Sequence, residues 1–285
     1  MRRKWGGNGT KMGMKLFRGL VFVGLAVLLL GMGQVPERRE VPMIMYHSLA
    51  GMRGSTSVSG EAFEGDLRYL QEEGYQAVTL SALADFVHHG TPLPKKPVVL
   101  TFDDGYYNNY LIGFPLAKRY EMPIVISVIG KDTEIWSDIH SKDLKDGHVT
   151  WAEIGEMAES GFVEIANHTW DLHKHEGGRK GAAMRPGEDV GQYRTALRGD
   201  LGRLQSVLAE RSGVTPIGFV FPFGRLSPEA TEILREMGFM LSISCRDGVN
   251  ILTRGDSLCL FELRRFERTP KRSVREILEG VGGNV

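Results

Sequence analysis

The first 36 residues contain no acidic side chain, although the whole chain carries 35 of them. Arg2, Arg3, Lys4, Lys11, Lys15 and Arg18 crowd that segment, so with a total formal charge of zero the remaining residues sum to −6. A mildly acidic body argues against nucleic acid as a partner, because phosphate backbones are bound by clustered cations. Long apolar runs are missing too. The longest, residues 19–33, spans fifteen residues behind the basic leader, short of the ~20 that a spanning helix needs. Cysteine is scarce. The two present, Cys245 and Cys259, lie far from that run, which argues against a lipid-anchored lipoprotein. Their spacing alone does not fix whether they pair in an oxidising compartment. No histidine follows His175, and there is no internal repeat or low-complexity tract.

The leader has a charged start and an apolar centre, the pattern of a secretory signal. Gly31 and Gly33 offer small residues at a cleavage spacing before Gln34. Its cations stay cytoplasmic by the positive-inside rule, so the body is expected outside the cytoplasm, secreted if cleaved and membrane-anchored if not. The chain divides into a leader, residues 1–36, and one domain, residues 37–285. The hydrophobic content of 42% and charged content of 25% are those of an ordinary globular fold.

In the body, apolar β-branched runs alternate with helical periodicity. Strands are expected near 41–47, 77–80, 97–100, 123–129, 162–166, 217–221, 240–244 and 259–266. Helices fall near 59–74, 81–89, 109–120, 150–161, 192–211, 228–237 and after Ser273. Residues 34–40 read as a linker, 130–149 as a long polar connection and 174–191 as a mobile glycine-rich loop. Such alternation indicates a parallel α/β barrel of about seven strands, distorted where the first connections are short, with its site at the C-terminal ends of the strands.

The candidate functional residues follow strands. Thr101-Phe102-Asp103-Asp104-Gly105-Tyr106 puts two adjacent carboxylates where a buried strand ends. Neighbours there point in different directions, so one can bind a metal while the other stays free as a base. Alone the motif is ordinary turn chemistry. It gains weight from His168-Thr169-Trp170-Asp171-Leu172-His173, two histidines in one short loop after another strand. Two histidines and one carboxylate form an open catalytic metal site. Phe221-Pro222-Phe223-Gly224 ends a third strand, and Met45-Tyr46-His47 a first. His88 and His89 close a helix and read as solvated, as does His175.

Together these motifs resemble the polysaccharide deacetylase (NodB-homology) family, carbohydrate esterase family 4, from residue 41 to about 266. The resemblance implies a distorted (β/α) barrel that removes N-acetyl or O-acetyl groups from an acetylated polysaccharide with one divalent ion. Zinc is the first choice, with cobalt, nickel and manganese open. It implies Asp103 as the catalytic base and Asp104, His168 and His173 as metal ligands. It also sets Tyr106 and the Phe223 backbone N–H on the substrate and oxyanion side. Val220 stands where many members carry an arginine, so another cation is expected to orient Asp103. Arg265, at the end of the last expected strand, is the candidate. The late catalytic histidine of the family is missing. The Met-Tyr-His strand is similar to the poly-N-acetylglucosamine deacetylase subgroup and puts His47 forward as the acid, with His140 and His148 as rivals. A metal-dependent amidase on a non-sugar amide, or a non-catalytic glycan-binding protein, would share this fold.

Overall fold

Short apolar runs, buried on both faces, pair side by side into a curled parallel sheet. The computed structural model describes residues 1–3, 36–51, 56–139 and 141–282. The expected signal or anchor segment and His140 lie outside the described residues. Among those described, no helix is long and apolar enough to cross a membrane.

The elements run β1 Arg38–Val41, β2 Met43–Tyr46, α1 Gly60–Glu72, β3 Gln76–Ala77, α2 Leu80–His89 and β4 Pro97–Phe102. A π-turn at Asn109–Gly113 leads into α3 Phe114–Arg119, then β5 Ile124–Val128, α4 Gly130–Ile139, α5 Trp151–Glu159 and β6 Val163–Asn167. Next come β7 His175–Glu176, β8 Arg179–Lys180, α6 Val190–Ser212, β9 Gly218–Val220, α7 Ala230–Glu236 and β10 Leu241–Ile243. The body finishes with β11 Asn250–Thr253, β12 Phe266–Glu267 and α8 Val274–Gly282.

The main sheet has the order β10-β9-β6-β5-β4-β2-β12, with β3 added beside β4. Every pairing in it is parallel. Beyond β10, Leu263 donates its N–H to Ser242 (2.8 Å) and accepts from Ser244 N–H (2.7 Å). The chain then runs on into β12 beside β2, which curls the sheet into the expected distorted barrel. Val98, Leu100 and Phe102 of β4 pack with α1, α5, α6 and α8. Val99 alternates to the opposite face, with Met43, Val125, Val220, Leu241 and α2. That period of two decides which later residues enter the barrel.

Four local expectations are corrected. Residues 38–41 pair antiparallel with β11 and are not linker; their charged sequence and mostly uncovered side chains hide the strand. Residues 130–139 form α4, whose buried residues are Gly130 and Thr133, so no apolar period announces it. The last expected strand shrinks to Phe266–Glu267, because Ser257–Leu260 turns as a 3-10 segment capped by Asp256. Residues 175–180 form a small antiparallel hairpin, and the adjoining loop is held by a buried Arg179–Glu188 ion pair.

A polar trio underlies the sheet on the α1 side. The Arg268 Nε–H donates to Asp66 Oδ2 at 2.7 Å, and the Tyr46 hydroxyl donates to the same oxygen at 3.1 Å. All three residues are buried. Burial raises the Asp66 pKa, and Arg268 and Tyr46 offset only part of that rise. Arg268→Met should therefore destabilise the protein by about 3–5 kcal/mol in urea unfolding, because it strands a buried carboxylate. Arg268→Met combined with Asp66→Leu should recover most of the loss.

Candidate metal centre

Asp103 continues the inward phase of Val99 and Thr101 on β4, and His47 that of Met43 and Met45 on β2. Both line one cleft of about 530 Å³ at the C-terminal ends of the strands, with Asp104, His168, His173 and Phe223. The structure thus brings together six of the eight residues singled out from sequence in its lining. Arg265 lies directly behind the cleft, and Tyr106 lies to one side.

Arg265 reaches Asp103 because the segment that closes the barrel carries it across the end of β4. Its guanidinium is fully buried and grips the carboxylate with both arms, Nη1 to Oδ1 at 2.7 Å and Nη2 to Oδ2 at 2.8 Å. Its remaining hydrogens go to the Ser244 carbonyl (2.9 Å), Thr101 Oγ1 (3.0 Å) and Cys245 Sγ (3.4 Å). The Ser127 hydroxyl donates to Asp103 Oδ1 at 2.9 Å. Burial alone would raise the Asp103 pKa, but the Arg265 charge and hydrogen bonds, with His168 and His47, hold it well below the usual carboxylate range. Asp103 is an ionised carboxylate with a fixed orientation.

Asp104 turns the other way because its φ is +73°. Its Oδ1 lies 3.6 Å from His168 Nε2 and 3.3 Å from His173 Nε2. That oxygen is buried with no hydrogen-bond partner. One carboxylate oxygen and two imidazole nitrogens lie within 4.8 Å of one another. His168 Nδ1 sits 2.9 Å from the Val220 carbonyl; a carbonyl only accepts, so Nδ1 carries the hydrogen and the Nε2 lone pair faces Asp104. A divalent ion fits this donor set and would satisfy the orphaned oxygen.

The same neighbours shift the titration of the cluster. The Asp104 pKa falls to about 2 despite burial, owing to His168, His47 and His173. Burial lowers the His168 pKa, but Asp104 and Asp103 more than offset it, so the net shift is upward. His173 drops to about 4, through burial first and then the neighbouring His168 charge. His173 is the neutral partner.

Phe223 is half-exposed, with φ +57°, and its ring packs on His173 at 4.5 Å between centroids. His175 is exposed, as expected, and sits edge-on to the same ring at 4.7 Å. Tyr106 stands beside the cleft, its ring stacked on His148 at 5.1 Å; burial and then the Asp104 charge raise the pKa of its hydroxyl. His88 and His89 are exposed on α2. Cys245 and Cys259 are separate thiols.

Sequence reasoning missed four groups on the far wall: Cys245, Asp247, Glu267 and Arg272. Asp247 and Arg272 form an ion pair of 2.8 Å at its rim. Cys245 follows β10 as Asp103 follows β4, so the strand-end rule would have found it. Arg272 lies in the turn before α8 and carries no such signal.

A polysaccharide deacetylase family model matches residues 90–242. The chain is 30% identical over 220 residues to the poly-beta-1,6-N-acetyl-D-glucosamine N-deacetylase of Escherichia coli K12, covering 71% of this chain and 33% of that protein. It thus spans about a third of the length of that relative. IcaB from Ammonifex degensii superposes with a TM-score of 0.67 at 27% identity, over 81% of this chain and 93% of that one. A de-N-acetylase from Aggregatibacter actinomycetemcomitans shares the fold, with a TM-score of 0.72 at 24% identity over 85% of this chain and 99% of that one.

Because a ligating imidazole must be unprotonated, ion uptake should expel a proton from the cluster. The His168 pKa is raised, so the proton is bound below that value and competes with the ion. Zinc affinity measured by calorimetry should therefore weaken as pH falls from about 8 to about 6. The heat should depend on the ionisation enthalpy of the buffer. A pH-independent affinity would rule out His168 as a ligand.

Proposed function

The chain belongs to the polysaccharide deacetylase family, and from that membership we propose that it removes N-acetyl groups from an extracellular polymer of the poly-N-acetylglucosamine type, using one divalent ion, zinc first. The observation that supports this most is the meeting, in one cleft, of an arginine-locked carboxylate, a carboxylate–bis-imidazole donor set and a third histidine. The names of the E. coli and Ammonifex proteins support the choice of polymer. The site of action is outside the cytoplasm, reached through the leader, with the protein either anchored by that segment or released.

In this reading Asp104, His168 and His173 hold the ion. When bound, it supplies Lewis acidity, polarising the amide carbonyl and easing the ionisation of water. Asp103, kept charged and oriented by Arg265, takes the proton from the attacking water. The Phe223 backbone N–H faces the oxygen on which charge develops. His47 delivers a proton to the departing nitrogen, since an amine anion is too poor a leaving group to go unassisted. The C–N bond breaks, giving acetate and a free amine on the sugar. Tyr106 serves on the substrate side of the turn that carries Asp104.

Acetate release from acetylated glucosamine oligomers is the direct test. Chelation should abolish it and added zinc should restore it. Asp103→Asn should keep its ion and lose about 10²–10⁴ in rate, the usual contribution of a general base. If turnover is unaffected by chelation, or if only a non-sugar amide is cleaved, the proposal falls.

His47→Ala tests the acid separately. It should bind the ion normally and lose amide turnover, while sparing aryl acetates whose leaving groups need no proton. Equal loss on both substrates would show that His47 maintains the site and is not the proton donor.

A further inference from the structure

His148 takes no part in the proposed chemistry, yet its imidazole grips the turn that carries a metal ligand. Nδ1 lies 2.9 Å from the backbone carbonyl oxygen of Asp104. That oxygen can only accept, so Nδ1 carries the hydrogen and donates it. Asp104 requires such a hold. Its φ of +73° lies in the left-handed region, where a non-glycine residue is strained by about 1–3 kcal/mol and persists only when its surroundings impose it.

The surroundings do impose it. The Tyr107 N–H bonds the Gly147 carbonyl at 2.7 Å, and the Val149 N–H bonds the Gly105 carbonyl at 2.9 Å. Tyr106 and His148 form an antiparallel bridge, and their rings stack at 5.1 Å. A Cβ at position 147 would meet the Asp143 carbonyl oxygen at 2.3 Å, so only glycine lets the chain turn into this contact. Residues 147–149 thus lie as a splint along 104–107, with the imidazole as its one side-chain clasp on Asp104.

We infer that His148 is a positioning residue for Asp104: by holding the carbonyl of that turn, it keeps the carboxylate aimed between His168 and His173. This rests on the reading of Asp104, His168 and His173 as the metal-binding set. The role needs only an N–H at Nδ1.

Three variants of the full chain separate the hydrogen bond from the packing. His148→Asn keeps a donor close to the Nδ1 position, His148→Phe keeps the ring against Tyr106 without the donor, and His148→Ala removes both. Titration with Zn2+ by calorimetry should give His148→Asn an affinity within a few-fold of the parent. His148→Phe and His148→Ala should weaken it about 10–100-fold, the usual effect of losing a group that orients a ligand. In metal-free protein, amide hydrogen exchange across residues 104–107 should speed up in His148→Phe and stay slow in His148→Asn. Parent-like zinc binding by His148→Phe, or equal weakening in the Asn and Phe variants, overturns the inference. If the parent protein itself takes up no ion, the metal reading fails. The exchange measurement then decides alone, and unchanged protection in His148→Phe refutes the clasp.

Discussion

A guanidinium with no exposure to water, closed on an equally buried carboxylate, is the interaction on which the site depends. Such a pair is stable only when every donor and acceptor finds a partner, because removing both charges from water costs several kcal/mol each. Arg265 meets that demand through Asp103, Ser244, Thr101 and Cys245. The outcome is a buried carboxylate at the cleft wall that stays charged and keeps a fixed direction. Its basicity is lowered by the same contact, so the arrangement favours certain ionisation and fixed direction over proton affinity. In the proposed reaction, a dication that makes water more acidic would complement so weak a base.

The second constraint is backbone strain. Asp104, Thr169 and Phe223 all have positive φ without being glycine, and each follows the end of a strand that delivers a site residue. Neighbouring hydrogen bonds hold two of them: the Asp104 carbonyl accepts from His148, and the Thr169 N–H donates to Asn167 Oδ1 at 2.9 Å. A strand would send successive side chains to opposite faces. These left-handed steps break that alternation, letting Asp103 and Asp104 serve the same cleft from different angles.

Much of this was legible beforehand. The alternating strands and helices gave the barrel, and the strand-end rule gathered His47, Asp103, Asp104, His168, His173 and Phe223 at one face. Arg265 was legible only indirectly, from Val220 standing where a cation was expected. What stayed hidden depends on contacts that no local pattern encodes. The edge strand Arg38–Val41 is charged and gains its structure from a partner more than 200 residues away. His148 reads in the sequence only as a rival for the acid, since its inferred role lies in a bond to a carbonyl that every residue possesses. Asp247 and Arg272 matter to the cleft because two separate turns meet there.

Asp103 and Arg265 are 162 residues apart along the chain, which sets an order of assembly. A chain emerging from a ribosome presents β4 and the His168–His173 loop well before the closing segment. Pairings of such long sequence separation are also slow to form. The contact that fixes the direction of Asp103 is therefore among the last to be made, and it waits for the barrel to close.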